Sequence, residues 1–225
     1  MDDFRRRFLS LALQAQALRF GEFTLKSGRV SPYFFNAGRF DSGAALAALG
    51  DCYADAIDAA ACAGGTLDFD LLFGPAYKGI PLATAVACSY ARRGRDLPLA
   101  FNRKEAKAHG EGGTLIGAPL AGRRVLIVDD VITAGTAVRE ALALIREGGG
   151  TPVAIAIALD RQEVVDADAA VRRSAAQAVA EEYGLAVVAV ARLSDLLALA
   201  GESAELVVER ERLVAYRSRY GCRDG

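Results

Sequence analysis

The sequence has little of what several protein classes require. Its four cysteines are widely spaced and form no C-x-x-C pair, which argues against a zinc site or a disulfide framework and favours reduced, partly buried thiols in the cytoplasm. No apolar run reaches the roughly 18 residues of a membrane span. The N-terminus is acidic and lacks an apolar signal core, so secretion is not expected. With 27 basic and 28 acidic residues, the net charge of −1 indicates neither a nucleic-acid nor a membrane partner.

Common catalytic motifs are also absent. The chain contains no G-x-x-x-x-G-K-[ST] phosphate loop, no G-x-S-x-G, and no cysteine with a histidine close by in sequence. Any phosphate must therefore bind to another kind of loop, and no protein nucleophile is indicated. The chain of 225 residues is 52% hydrophobic and 24% charged, which is ample for one globular domain over residues 1–225.

The most informative stretch is Val125–Ala137, which reads VLIVDDVITAGTA. Four apolar residues, mostly β-branched, predict a strand buried on both faces of a parallel sheet. A turn rich in Thr and Gly follows, and then a helix from Ala137 to Glu147. Because Gly135 lets the backbone approach a ligand and the first N–H groups of the helix lack intrahelical partners, this turn can bind a phosphate.

Asp129 and Asp130 lie where the predicted strand ends. Carboxylates beside a bound phosphate would repel it unless sugar hydroxyls or a cation intervene. We therefore expect the acid pair to bind ribose hydroxyls, either directly or through Mg²⁺ and its waters. The alternative is a helix N-cap with a solvated acid and no ligand.

This stretch resembles the motif that binds 5-phosphoribosyl-1-pyrophosphate (PRPP) in type I phosphoribosyltransferases. The resemblance implies transfer of ribose 5-phosphate to a nitrogen base with Mg²⁺ present. It also implies a Rossmann-like central parallel sheet flanked by helices, with a small N-terminal hood. The residues it assigns to PRPP here are Asp129, Asp130, Val131, Ile132, Thr133, Ala134, Gly135, Thr136 and Ala137.

Apolar and polar side chains alternate in residues 20–36 until a Ser-Gly turn, and aromatic residues follow the turn. This pattern predicts a β-hairpin. Taken alone, Lys26 would be a solvated turn lysine and the pair Phe34-Phe35 would be core. The segment TLKSGRVSPYFFN, however, resembles the hood of orotate phosphoribosyltransferases. That resemblance implies that Lys26 meets both substrates and that the Phe pair forms the pocket for the pyrimidine ring, together with Thr133.

Two further loops resemble the same family. The segment GPAYKG after a strand at Phe69–Phe73 is the family's pyrophosphate loop, which assigns Tyr77 and Lys78 to PRPP. Residues 103–113 carry charge and glycine but little apolar surface, so we expect a mobile lid over a polyanion. They resemble the family's catalytic loop, with Ala108 in place of the usual acid, and the implied residues are Arg103, Lys104, Lys107 and His109. Together with the acid pair, the last three of these are the expected catalytic residues.

The segment LDRQE, which ends at Glu163, completes the resemblance. A charged cluster at the end of a core strand (Val153–Leu159) faces the same crevice as Asp129, although Arg161 could simply be solvated. The family places this arginine on orotate. Here Val164-Val165 replaces the family's Arg-Gly, so the conformation after Glu163 stays open.

These assignments define the expected architecture. The core is expected over about 65–165, with a hood formed by about 1–40 and C-terminal elements. Helices are expected over 2–18, 42–62, about 80–92, 169–183, 194–200 and 204–217, and strands at 97–101, within 114–120 and at 185–190. The family further implies a homodimer in which residues 103–113 close over the partner's site. Arg103 and Lys107 would then reach the partner's site, whereas Lys104 and His109 would serve their own.

The predicted activity is therefore conversion of orotate and PRPP to orotidine 5'-phosphate and pyrophosphate in pyrimidine biosynthesis. Two alternatives remain: a purine or other type I phosphoribosyltransferase, and a regulator that binds PRPP without chemistry. The hood hairpin and the LDRQE turn argue against the first alternative. The near-neutral charge and the complete cationic loop argue against the second.

Overall fold

The structure is a computed structural model that describes residues 1–25, 27–64, 67–107, 113–164, 172–202 and 206–222. The strands are β1 (Leu18–Thr24), β2 (Val30–Phe35), β3 (Leu71–Gly74), β4 (Leu99–Lys107), β5 (Gly113–Gly117), β6 (Arg124–Asp129), β7 (Thr151–Asp160) and β8 (Ala186–Arg192). The helices are α1 (Asp3–Gln14), α2 (Gly43–Gly64), α3 (Gly79–Arg92), α4 (Thr136–Glu147), α5 (Ala175–Tyr183), α6 (Leu193–Glu202) and α7 (Val207–Tyr220). In this part of the chain no helix is long and apolar enough to cross a membrane.

The larger sheet has six strands in the order β5-β4-β3-β6-β7-β8. From β3 the chain moves outward to β4, then returns to the other side of β3 at β6 and continues outward to β7 and β8. The strand order therefore reverses between β3 and β6. In open α/β sheets, ligands bind outside the carboxyl ends of the strands at such a switch point.

The buried central strands supply two hydrophobic cores from alternate residues. On β6, Leu126 and Val128 belong to the core under α2 and α3, whereas Val125 and Ile127 belong to the core under α4 and α5. All four side chains are fully buried. A continuously apolar strand is what a sheet covered on both faces requires, and it fixes where the polar residues after Val128 emerge.

The hood is the antiparallel pair β1-β2, which packs against α1 and α7. Phe35 contacts Phe8 of α1 and also Phe40, with ring centroids 6.1 and 6.4 Å apart. Tyr33 meets the ring of Tyr216 from α7 edge-on at 6.4 Å. The N-terminal and C-terminal helices therefore hold the hairpin from both sides.

Several sequence predictions need correction. The predicted parallel arrangement is confirmed for β4, β3, β6, β7 and β8, but β5 adds an antiparallel edge strand because it follows β4 closely in sequence. The strand predicted to end at Phe101 continues to Lys107, so the first part of the expected lid is strand. It pairs with β5 at Asn102 and again at Lys107, with an irregular register between them. The helix expected over 2–18 ends at Gln14, and α5 begins at Ala175 rather than 169. All four cysteines are free, but Cys62 and Cys88 are exposed rather than partly buried.

Candidate active site

The centre of the site is the acid pair at the carboxyl end of β6. Asp129 and Asp130 each have only 7% of their surface exposed. The backbone N–H of Asp130 donates to Asp129 Oδ1 at 2.9 Å, and the N–H of Val131 donates to Asp130 Oδ1 at 2.9 Å. These hydrogen bonds hold both carboxylates at the carboxyl end of β6, which lies beside the end of β3.

Burial raises the pKa of Asp129 to about 7, and the neighbouring charge of Asp130 adds to the effect. The N–H donated by Asp130 and the charge of Lys78 oppose this shift but do not cancel it. Asp129 therefore loses its proton less readily than an ordinary, solvated aspartate does. A ligand that brings hydroxyl donors or positive charge to this carboxylate would favour the ionised form.

The turn after the acid pair is open to solvent and fits a phosphate. Thr133, Ala134, Thr136 and Ala137 are exposed, while Gly135 is buried and has φ of +73°. Gly135 is the N-cap of α4, and no side chain caps the helix there. A Cβ at this position would approach Val179 Cγ2 to 3.2 Å. The first N–H groups of α4 therefore face a loop without bulky side chains, which is the arrangement that binds an anion.

The loop between β3 and α3 brings a lysine to the acids. Lys78 Nζ lies 2.8 Å from Asp130 Oδ2, and the Asn102 side chain accepts a hydrogen bond from the N–H of Ala76 at 2.9 Å. The Ala76–Tyr77 peptide bond is cis. A Cβ on Gly79 would lie 2.8 Å from the carbonyl oxygen of Val128, so only glycine lets α3 begin this close to β6.

The expected lid contributes two described cationic side chains. Lys104 is exposed on β4, with Nζ 5.4 Å from the ring centroid of Tyr77, which is itself exposed. Arg103 is partly buried, and its Nε makes no hydrogen bond to any described residue. His109 and the side chain of Lys107 lie outside the described residues. The contact with Tyr77 puts the positive charge of Lys104 beside the loop that carries Lys78.

The two phenylalanines predicted to bind the pyrimidine ring lie in different surroundings. Phe34 and Phe35 are neighbours on β2: Phe35 packs into the core, whereas Phe34 stacks with Phe23 at 5.4 Å beneath the guanidinium of Arg19. The two rings therefore do not form one continuous wall in this conformation. Lys26 lies outside the described residues.

Arg161 follows β7 and is largely buried. Its Nε donates to Glu163 Oε1 at 2.9 Å, and its guanidinium carbon lies 5.2 Å from the ring centroid of Tyr33. Burial alone would lower the pKa of Arg161, but Tyr33 and Glu163 raise it above the usual value. The side chain is thus a fixed cation between the hood and the end of β7.

Sequence reasoning missed residues that hold the site from a distance. Tyr53 on α2 is fully buried and its hydroxyl donates to the carbonyl oxygen of Asp129 at 2.7 Å. A tyrosine on an alanine-rich buried helix is a usable signal, because its hydroxyl needs a partner. Asn102 directly follows the predicted strand Leu97–Phe101, where a polar side chain reaches the ligand edge of the sheet.

The switch-point position, the buried acid pair and the uncapped turn together are the arrangement expected of the phosphoribosyltransferase class. Residues 45–187 match the family described as phosphoribosyl transferase domain. An orotate phosphoribosyltransferase of Xanthomonas axonopodis pv. citri is 75% identical over 222 residues, covering 98% of both chains.

Solved structures agree with the relatives. The orotate phosphoribosyltransferase of Francisella tularensis has a TM-score of 0.83 and 39% identity, covering 95% of this chain and 98% of that chain. The Mycobacterium tuberculosis H37Rv enzyme in complex with PRPP has a TM-score of 0.61 and 25% identity, covering 84% and 98% of the two chains. This chain belongs to the orotate phosphoribosyltransferase family. The prediction of this family is therefore confirmed, in preference to the alternative of a purine phosphoribosyltransferase.

Proposed function

We propose that this protein transfers the 5-phosphoribosyl group of PRPP to orotate, giving orotidine 5'-phosphate and pyrophosphate for UMP biosynthesis. The observation that carries the proposal is the juxtaposition, at one switch point, of Lys78, the buried acid pair and the exposed turn Thr133–Ala137. An anionic 5-phosphate fits the turn, and ribose hydroxyls fit the carboxylates. A diphosphate fits the lysine loop, which is the segment 75–78 between β3 and α3. PRPP carries these three groups in this order.

The reaction needs positioning and charge rather than a protein nucleophile. A ring nitrogen of orotate attacks C1 of the ribose while the bond to pyrophosphate breaks. Positive charge develops on the ribose beside Asp129 and Asp130, and negative charge develops on the leaving group. Lys78, Arg103, Lys104, Lys107 and His109 are proposed to stabilise that leaving group, and Lys26 is proposed to touch both substrates. Catalysis of this kind is electrostatic and depends on prior orientation.

The proposal includes Mg²⁺, and the acid pair fits a cation held mainly by the substrate. Asp130 already shares its oxygens with Lys78 and the N–H of Val131, and Asp129 accepts one N–H. No group of three potential metal-ligating side chains occurs among the residues that the structure describes. Mg²⁺ would therefore bind through diphosphate oxygens and waters, near Asp129 and Asp130, and would neutralise the charge of the diphosphate.

A homodimer in the cytoplasm is proposed as the working form. The antiparallel pair β4-β5 lies at one edge of the sheet, and Lys107 pairs with Gly113 at the end of this pair. An edge ribbon can reach a second copy more easily than a central element can. Four free cysteines suit a reducing compartment.

Loss of orotate absorbance tests the activity directly. The purified protein should consume orotate only when PRPP and Mg²⁺ are both present, and adenine, hypoxanthine or uracil in place of orotate should give no comparable turnover. The Asp130→Asn variant, whose turnover should be much lower, provides the matched comparison. Turnover of a purine in preference to orotate, or no turnover with any base, would contradict the proposal.

A further inference from the structure

Three side chains form a closed cluster between the hood and the end of β7: Tyr33, Arg161 and Glu163. The Tyr33 hydroxyl donates to Glu163 Oε1 at 3.1 Å. The same oxygen accepts from Arg161 Nε at 2.9 Å and lies 2.8 Å from Arg161 Nη2. The guanidinium of Arg161 lies over the Tyr33 ring, 5.2 Å from its centroid. Each member of this triad therefore contacts the other two.

Burial and backbone pairing fix the triad in place. Tyr33 is fully buried, and the side chains of Arg161 and Glu163 are only 18% and 11% exposed. Glu163 pairs with Gly221 through an isolated antiparallel bridge, and the N–H of Val164 donates to the carbonyl oxygen of Tyr220 at 2.9 Å. The C-terminal end of the chain thus holds Glu163, while β2 holds Tyr33.

Arg161 retains hydrogen-bonding capacity within this fixed setting. Its Nη2 is buried and makes no hydrogen bond to a described residue, although it lies 2.8 Å from Glu163 Oε1 as an ion pair. A guanidinium has five N–H donors, and only Nε uses one on Glu163. An acceptor with planar oxygens, such as the carboxylate of a pyrimidine carboxylic acid, would satisfy the remaining donors.

We infer that Glu163, held by Tyr33, is a positioning residue that orients Arg161 for the carboxylated base. This inference rests on the proposed function, because it names the partner of Arg161. A buried ion pair contributes little net stability in comparison with apolar packing. A single carboxylate oxygen that is shared by a tyrosine and an arginine does, however, restrict the rotation of the arginine. Glu163 and Tyr33 thereby influence which pyrimidines bind without touching them, because only Arg161 of the triad contacts the base.

Steady-state kinetics of Glu163→Gln and Tyr33→Phe test this role. Loss of a hydrogen bond to a charged group costs about tenfold in affinity, so each variant should raise the KM for orotate by about that factor. The KM for PRPP should stay within about twofold of the wild-type value, since PRPP binds to separate elements.

The chain offers a matched control in Tyr90 and Asp58. Tyr90 is also a buried tyrosine, and its hydroxyl donates to Asp58 Oδ1 at 2.8 Å, between α3 and α2. Tyr90→Phe and Asp58→Asn remove the same chemistry away from the crevice. These two variants should leave both KM values unchanged, whatever they do to the melting temperature.

A double variant distinguishes positioning from a general structural effect. If Glu163 acts through Arg161, then Glu163→Gln should add nothing to the orotate KM of Arg161→Ala. Additive effects, or an equal rise in both KM values, would overturn the inference while leaving the proposed function intact. Absence of orotate turnover in the wild-type protein would overturn the proposed function and the inference together.

Discussion

At the residue scale, the site depends on two acids whose surroundings differ. Asp130 pairs with Lys78, whereas Asp129 faces buried surface and the charge of its neighbour. Both acids were evident from the sequence, because adjacent carboxylates after an apolar strand are unusual and informative. The contacts that hold them, from Tyr53 and Asn102, were not, because a sequence pattern does not show which distant hydroxyl or amide meets a given backbone group.

The raised pKa of Asp129 predicts a pH-dependent stability. Because the folded-state pKa of about 7 exceeds the ordinary value, the folded protein holds this proton more tightly than the unfolded chain does. The free energy of unfolding should therefore fall as pH rises from about 4 to about 7, through this group alone. Asp129→Asn removes the effect and should be more stable than wild type at pH 8, by about 1–3 kcal/mol.

Urea denaturation of the unliganded protein at pH 5 and pH 8 measures this difference. The advantage of Asp129→Asn should shrink at pH 5, where the wild-type acid is protonated in the folded state. Asp41→Asn, which removes an exposed carboxylate, gives the comparison variant. A variant at Asp129 that is less stable than wild type at pH 8 would refute the buried, poorly ionised state of this acid.

At the scale of elements, hydrophobic periodicity and the glycines and prolines between segments predicted most of the helices and strands. The strand before the acid pair, the hood hairpin and α3 lie close to their predicted positions. β4 was predicted too short because Arg103–Lys107 is polar, and polarity was taken to indicate a loop. A polar stretch can still extend as strand beside a neighbouring strand, and β5 pairs with β4 both before this stretch, at Asn102, and at its end, at Lys107. The predicted contacts of Lys26, Lys107 and His109 stay predictions.

The close approach of α3 to β6 predicts a sharp effect of Gly79→Ala. The new Cβ would lie 2.6 Å from Pro75 Cδ and 2.8 Å from the carbonyl oxygen of Val128, so the lysine loop must shift away from the acid pair. We expect a loss of about 1–3 kcal/mol in unfolding free energy and a rise in the KM for PRPP.

Gly43→Ala is the control for this change. Gly43 also begins a helix, α2, and a Cβ there would meet nothing within 4 Å. Both substitutions bring the same gain in helix propensity, so only the crowding differs. Thermal melting and PRPP kinetics of the two variants, compared side by side, give the result. If Gly79→Ala and Gly43→Ala were equally stable, the close packing at Gly79 would not contribute to the stability of the fold.

At the scale of the whole molecule, the switch between β3 and β6 decides where chemistry can occur. Strand order brings the lysine loop, the acid pair and Arg161 to one edge, although they are far apart in sequence. The parallel core was predictable from the alternation of strands and helices. The relation of β2 to α7 was not, because it depends on contacts such as Tyr33 with Tyr216 between distant segments.

The proposed dimer predicts complementation between two inactive chains. The family resemblance implies that Arg103 and Lys107 serve the partner's site, whereas Asp129 serves its own. In a mixed dimer of Lys107→Ala and Asp129→Asn, one site then carries both defects and the other carries none. Random reassociation of equal amounts should restore about a quarter of wild-type activity, by two-fold symmetry.

A mixture of Asp129→Asn with Asp130→Asn controls for reassociation itself. Both defects belong to their own subunit, so no intact site can form and activity should stay low. Native mass spectrometry of the mixtures would verify that mixed dimers are present. Mixed dimers of the first pair that remain inactive would mean that residues 103–113 act within their own chain.

The central claim is that one crevice holds PRPP at the acid pair and orotate at Arg161. The most direct test measures the KM of each substrate for Asp130→Asn and for Arg161→Ala. We expect Arg161→Ala to raise the KM for orotate by about tenfold or more, because a charge-assisted contact is lost, with little change for PRPP. Asp130→Asn should instead affect PRPP, in KM or in turnover, and leave the KM for orotate near the wild-type value. If both variants change both KM values equally, the division of the crevice into two subsites is contradicted.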